Sequence, residues 1–226
     1  NNMKTRLIST IYFLLILYVI PHLSFATENI RIVVAPGQEA PGFPPGVTFS
    51  SMNKATINAS GEIAFRAILA GTGIDPNNNR TIWVGMPDDL QLLAQEGQDA
   101  PGTEADTVFD AFNPVADGFE SPIAPNGKVA FYATLRGPSV NSTNYRGIWV
   151  GTPGNLQLVA REGNPAPGTV TGTLFNQIIH TFAHNDSGVA FYANLSDSLG
   201  YGIWAGPPGN IQKVCLEGEY APDLPP

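Results

Sequence analysis

The sequence predicts an all-β chain: a β-propeller-like array of four-stranded antiparallel blades, with three complete repeats, an extra N-terminal strand and the look of a truncated product. Three recurring tags carry that expectation. The first reads GQEAPG from Gly37, GQDAPG from Gly97, GNPAPG from Gly163 and GEYAPD from Gly218. A second, upstream of the last three, reads TIWVG to Gly85, GIWVG to Gly151 and GIWAG to Gly206. The third reads GEIAF from Gly61, GKVAF from Gly127 and GVAF from Gly188. The tags keep a fixed order about 60 residues apart, which is the signature of a repeat architecture.

Within the second unit each strand has a local cause. Val108 to Val115 is a loose apolar stretch, read as the first strand. Lys128 to Leu135 (KVAFYATL) follows an Asn-Gly turn and alternates small or polar residues with large apolar ones, so one face belongs in a core. Gly147 to Val150 is a third strand; Pro153-Gly154-Asn155 turns the chain, and Leu156 to Ala160 returns as its hairpin partner. No stretch after the first 26 residues keeps a helical i, i+3, i+4 stripe. Four short antiparallel strands per unit make a propeller blade, and the units run about 47–97, 107–163 and 173–218.

The phase of the repeat adds a further expectation. Ile30 to Ala35 (IRIVVA) matches the last strand of a unit, and Ala221 to Pro226 (APDLPP) matches Ala40 to Pro45 (APGFPP), the lead-in to a first strand. The chain is therefore expected to stop where another unit would begin. The N-terminal strand would complete a last blade in a longer ring, and open blade edges would invite self-association.

Residues 1–26 read as a secretory signal. Lys4 and Arg6 precede the apolar run Ile11 to Ile20; Pro21 ends it, and Ser24-Phe25-Ala26 sets a cleavage site after Ala26. The run is too short for a comfortable membrane span, so the mature domain, 27–226, is expected to be secreted, extracellular or periplasmic, with no membrane span. A net charge of −8 with scattered Lys and Arg argues against nucleic acid. The 24 Gly and 20 Pro sit at repeated places between apolar runs and act as turn punctuation. Cys215, the sole cysteine, aligns with Ala94 and Ala160 and is expected to be a small buried side chain.

Trp83, Trp149 and Trp204 hold one place in each unit; flanking Ile and Val favour packing between blades over sugar stacking. Phe65, Phe131 and Phe191 are core residues by the same reasoning. Glu96, Glu162 and Glu217 each precede a turn glycine, and their repetition fits a structural hydrogen bond to the turn backbone better than one-off chemistry. Non-repeated polar residues are the better site candidates. Asp110, Asp117 and Glu120 cluster in the second unit only, and with His180 they are the weak catalytic candidates. His180 and His184 have a spacing that binds metal on a helix, but this segment reads as strand and His184 falls at an apolar place, so no metal is expected. Asp75 to Asn79 resembles half of a calcium loop but lacks its glycine and distal Glu. Five sequons, at Asn58, Asn79, Asn141, Asn185 and Asn194, would carry glycans in a eukaryotic secretory pathway. No G-x-S-x-G, H-E-x-x-H or phosphate-loop motif occurs, and no cofactor is expected.

The run GIWVG-x-PGNLQLVAREG-x-PAPGT, with N-G-K-VAFYATL, resembles the tandem repeats of bacterial exported choice-of-anchor proteins over about residues 30 to 222. The resemblance implies a β-propeller-like extracellular domain of unknown function and brings no catalytic residues. In the third unit, HNDSGVAF is one residue shorter than the pattern. The expected function is that of an exported, non-enzymatic binding or surface scaffold whose ligand or protein partner is unknown. The alternative is a glycan- or polymer-active propeller enzyme with an acidic site at a rim or channel.

Overall fold

The computed structural model describes residues 30–112, 123–196 and 199–219, at 180–184 the backbone alone. The chain divides into two units, Asn1–Ile32 and Val33–Pro226. In the first, residues 30–32 are described and form no strand. The second unit holds twelve strands in three four-stranded antiparallel sheets, with no α-helix among the described residues.

The first sheet comprises β1 (Thr48–Ile57), β2 (Ile63–Ala70), β3 (Arg80–Met86) and β4 (Asp89–Gln95). The second comprises β5 (Val108–Phe112), β6 (Val129–Arg136), β7 (Arg146–Thr152) and β8 (Asn155–Arg161). The third comprises β9 (Phe175–Asn185), β10 (Gly188–Leu195), β11 (Tyr201–Gly206) and β12 (Gln212–Leu216). Each is a meander whose spatial order follows the chain. No strand pairing joins one sheet to another among the described residues, and the sheets do not close on themselves.

The register of the second strand on the third is identical in all three sheets. Phe65 pairs with Trp83, Phe131 with Trp149 and Phe191 with Trp204. The pairing with the last strand then slips by one residue just before each Trp. The glycine at or next to the end of the third strand is required by the hairpin. A Cβ on Gly85, Gly151 or Gly206 would lie 2.2, 2.1 or 2.4 Å from the carbonyl oxygen opposite, closer than any real contact. The G-x-x-A-P-G tag is a lead-in to the next sheet: Gly37, Gly97 and Gly163 donate their N–H to the carbonyls of Phe49, Phe109 and Phe175, each at 2.8 Å. The third tag encodes a β-hairpin or strand start, the second the central strand, and the first the connection between sheets.

Pleating gives every sheet two unlike faces. An aromatic face carries a Phe from each of the first two strands and the Trp from the third. An aliphatic face carries Ala, Ile and Val. The aliphatic face of the first sheet (Ala64, Ile82, Val84, Ala94) and the aromatic face of the second (Phe109, Phe131, Trp149) form one core. The aliphatic face of the second (Ala130, Ile148, Val150, Ala160) and the aromatic face of the third (Phe175, Phe191, Trp204) form the next. The middle sheet is therefore covered on both sides, and in β6 every residue from Val129 to Leu135 is buried. In β10 burial alternates along the strand instead, as expected where one face is open.

Two expectations are corrected. Residues 30–35 form no extra strand. A last strand needs the third strand of its own sheet as partner, as β4 has β3, and none among the described residues stands beside this segment; Val33 and Val34 pack on the first sheet's aromatic core by their side chains. Cys215 is exposed, not buried. Its register partner is Ile203, the equivalent of the Ile148–Ala160 and Ile82–Ala94 pairs, so the alignment holds. Ala94 and Ala160 are buried only because another sheet lies over them.

Candidate functional site

The recurring acids stand where the last strand ends. Glu96 is buried and accepts hydrogen bonds from Arg80 N at 3.3 Å and Arg80 Nη1 at 2.8 Å. Glu162 is buried too, accepting from Arg146 Nη1 at 3.5 Å and, across the seam, from Ile178 N of β9 at 3.1 Å. Glu217 is exposed and accepts from Tyr201 N at 3.2 Å. The carboxylates thus tie the end of each fourth strand to the start of its third and, in Glu162, to the following sheet; they do not bond their own turn glycine. Burial raises Glu96 against the pull of Arg80, and burial pushes Glu162 up to about 6.

Among the weak catalytic candidates, Asp110 lies on β5, accepting from Arg136 Nη1 at 3.4 Å and from Thr134 Oγ1 at 3.4 Å. Asp117 and Glu120 lie outside the described residues. His180 lies on β9 opposite Tyr192, and its side chain, like that of His184, is outside the described set. The residues from Asp75 to Asn78 turn their polar groups inward: Asp75 Oδ1 accepts from Asn77 N at 2.7 Å, and Asn78 Oδ1 accepts from Asp75 N at 2.8 Å. The Asn141 loop repeats that pattern in the second unit, so the Asp75 loop is an element of the repeat. Among the described residues, no group of three or more His, Cys, Asp or Glu could hold a metal ion.

The three tryptophans are fully buried. Trp149 donates Nε1–H to Pro101 O at 2.9 Å and Trp204 to Pro167 O at 3.0 Å, the prolines of the lead-in turns. Trp83 instead donates to Thr81 Oγ1 at 2.8 Å. Each indole also meets the first-strand Phe edge-on, with ring centroids 5.0 Å apart. With their N–H groups bonded and their rings covered, they serve packing.

A cavity of about 330 Å³ opens between the first and second sheets, lined by Asn53, Arg66, Arg80, Thr81 and Phe112 among others. Arg66 projects from β2 on the face toward the second sheet and donates Nη1–H to Phe112 O at 2.7 Å. Burial, and then the charge of Arg80, lower Arg66 below the usual guanidinium value. Two guanidinium groups, Arg66 and Arg80, therefore line the cavity, and Arg80 is paired with Glu96. At the corresponding place between the second and third sheets, Tyr132 stands at the Arg66 position and is buried, as is Thr134 beside it. Tyr192 occupies the position in the third sheet, opposite Ile203 just as Tyr132 lies opposite Ile148 and Arg66 opposite Ile82. Sequence reasoning passed over Arg66. The signal was present, because a cation interrupts two tyrosines at one position of the repeat.

No helix among the described residues is long and apolar enough to cross a membrane. Comparison with curated proteins and with solved structures yields no match. Residues 23–221, which span all three repeats, match a family of unknown function (DUF7453), and the chain belongs to that family.

Proposed function

We propose that the chain is an exported binding or surface-interaction scaffold that holds an anionic group of its ligand in the cavity between the first and second sheets. The supporting observation is the break in the repeat at Arg66. Elsewhere the recurring polar groups serve the scaffold, tying strand to strand. Here a guanidinium stands where the other repeats have an aromatic ring, lines a cavity of about 330 Å³ and lies near a second guanidinium. Paired guanidinium groups in a partly buried pocket suit carboxylate, sulfate or phosphate oxygens, because their planar N–H forks match those anions. Asp110, held by Arg136 and Thr134, has the partners of a structural acid.

Arg66→Tyr restores the residue of the other two repeats, fills the cavity and keeps the fold. Titration calorimetry with sulfate, phosphate and a short uronic-acid oligosaccharide is expected to show one saturable site in the parent chain. In the variant that site weakens at least about tenfold, the loss of one charge-assisted hydrogen bond. Equal binding by both proteins, or binding of none of the three probes, would overturn this reading.

A further inference from the structure

We propose that the aliphatic face of the third sheet is a docking surface for one more four-stranded sheet of this same repeat, which presents its Phe, Phe and Trp to it. The molecule already makes that interface twice, and the third sheet repeats the covered surface position by position. Ala190, Ile203, Ala205 and Cys215 stand where Ala130, Ile148, Val150 and Ala160 stand in the second sheet, in the same strand register. In the second sheet all four are buried against Phe175, Phe191 and Trp204. In the third they are half-buried or exposed.

Among the described side chains the face is apolar around those four positions. Val214 is 59% exposed, whereas its equivalents Leu93 and Val159 are buried. Tyr192 and Tyr201 stack with ring centroids 5.2 Å apart and planes within 9°, so the part of the face corresponding to Tyr132 and Arg146 is an ordered aromatic platform. A polar anchor is in place as well. Glu162 bonds Ile178 N of the sheet that covers it, and Glu217 occupies the same position on the open face. The incoming sheet therefore brings a buried-type aromatic face and offers a first-strand N–H to Glu217, as Ile178 does to Glu162 at the second seam. A repeat of this family's own pattern supplies both, which selects it over an unrelated apolar partner.

Cys215 lies within the surface and is the sole thiol of the chain, so it reports coverage directly. The test extends the full chain at Gly218 with a copy of residues 163–219, with Cys215→Ala in the copy. In the unextended protein Cys215 reacts with a thiol reagent such as DTNB at the rate of an exposed cysteine. In the extended protein its rate falls about 100-fold or more, because reaction then requires the new interface to open. A second extension, with a copy of residues 97–162, offers Phe109, Phe131 and Trp149 in place of the first set and guards against a copy that folds poorly. If Cys215 stays equally reactive in both extended proteins, the proposal is overturned. It is overturned too if the unextended chain protects Cys215 increasingly with its own concentration, since the occupant would then be a second copy of this chain.

Discussion

The two ends of the stack are built differently. At one end the first sheet turns its aromatic face outward, with no sheet before it among the described residues, and yet Trp83 and Phe49 are fully buried. At the other end the third sheet turns its aliphatic face outward, and that face stays open. The first end is sealed by the chain itself. Phe43 stands where the later units have Thr103 and Thr169, and its ring lies 6.1 Å from that of Trp83; Val33 and Val34 join the same cluster. Thr103 and Thr169 instead donate their hydroxyls to the lead-in turn, to Ala100 O and Ala166 O at 2.7 and 2.6 Å. A second exchange goes with the first: Thr81 replaces Gly147 and Gly202. The first unit therefore carries the changes of a terminal, capping repeat, and the third carries none of them on its open side.

The pair of exchanges follows from space. A Cβ on Gly147 would lie 2.7 Å from Trp149 Cη2, and one on Gly202 would lie 2.7 Å from Trp204 Cη2. In these sheets the indole lies over the glycine and its N–H reaches the lead-in proline. With Thr81 in that place the N–H finds the threonine hydroxyl, and Thr81 in turn donates to Ala67 O at 3.1 Å. The turn is then free of its bond to the Trp, and Phe43 packs on the ring. Gly147→Thr alone is expected to give the largest loss in the molecule, about 2–4 kcal/mol, from overpacking and from one buried N–H bond broken. Adding Thr103→Phe should recover at least half of it by recreating the arrangement of the first unit. Urea unfolding of the four members of this double-mutant cycle measures the coupling. Simple additivity would break the comparison, because the two exchanges would then be independent.

Phe43→Thr runs the exchange in the opposite direction. It removes a half-buried ring from over Trp83 without giving the indole a glycine to lie on. The expected loss is about 1–2 kcal/mol, scaled to the apolar area uncovered. The tryptophan emission should shift to the red, since all three indoles are fully buried in the parent. An unshifted spectrum would mean that Val33 and Val34 seal the end without Phe43.

Strands were legible in this sequence wherever a residue's own neighbours along the chain decide its state. Alternation in KVAFYATL and the glycines at Gly85, Gly151 and Gly206 suffice to mark β6 and the hairpins, since pleat and turn geometry act over a few residues. Burial was less legible because it depends on what lies across the seam. Cys215 was aligned correctly with Ala94 and Ala160, yet it is exposed, for the alignment carries strand register and not the presence of a covering sheet. The segment 30–35 has the composition of a last strand, but composition cannot supply the neighbouring strand that would take up its backbone hydrogen bonds. The candidate site shows the reverse weakness. Acids unique to the second unit point to Asp110, whereas the residue that breaks the repeat and lines a cavity is the Arg66 cation.

The contrast extends to titration at Glu162. Glu162 and Glu217 both follow the fourth strand of their sheets, but only Glu162 bonds a neighbouring sheet. Its native carboxyl, pushed up to about 6 by burial, holds a proton more tightly than an unfolded one near 4.5. A carboxyl with a raised native value stabilises the fold most when protonated in both states, below pH 4.5. That contribution is lost as pH rises through 6, and stability is level above it so far as this group is concerned. Glu162→Gln is expected to flatten the decline between those two pH values, at a small cost or gain at neutral pH, since Glu162 Oε2 has no hydrogen-bond partner. Denaturant midpoints taken across pH 4 to 7 for the parent and the variant make the measurement. If the variant keeps the parent's decline, the neighbouring sheet does not set the titration of Glu162, and the covered and open faces differ in packing alone.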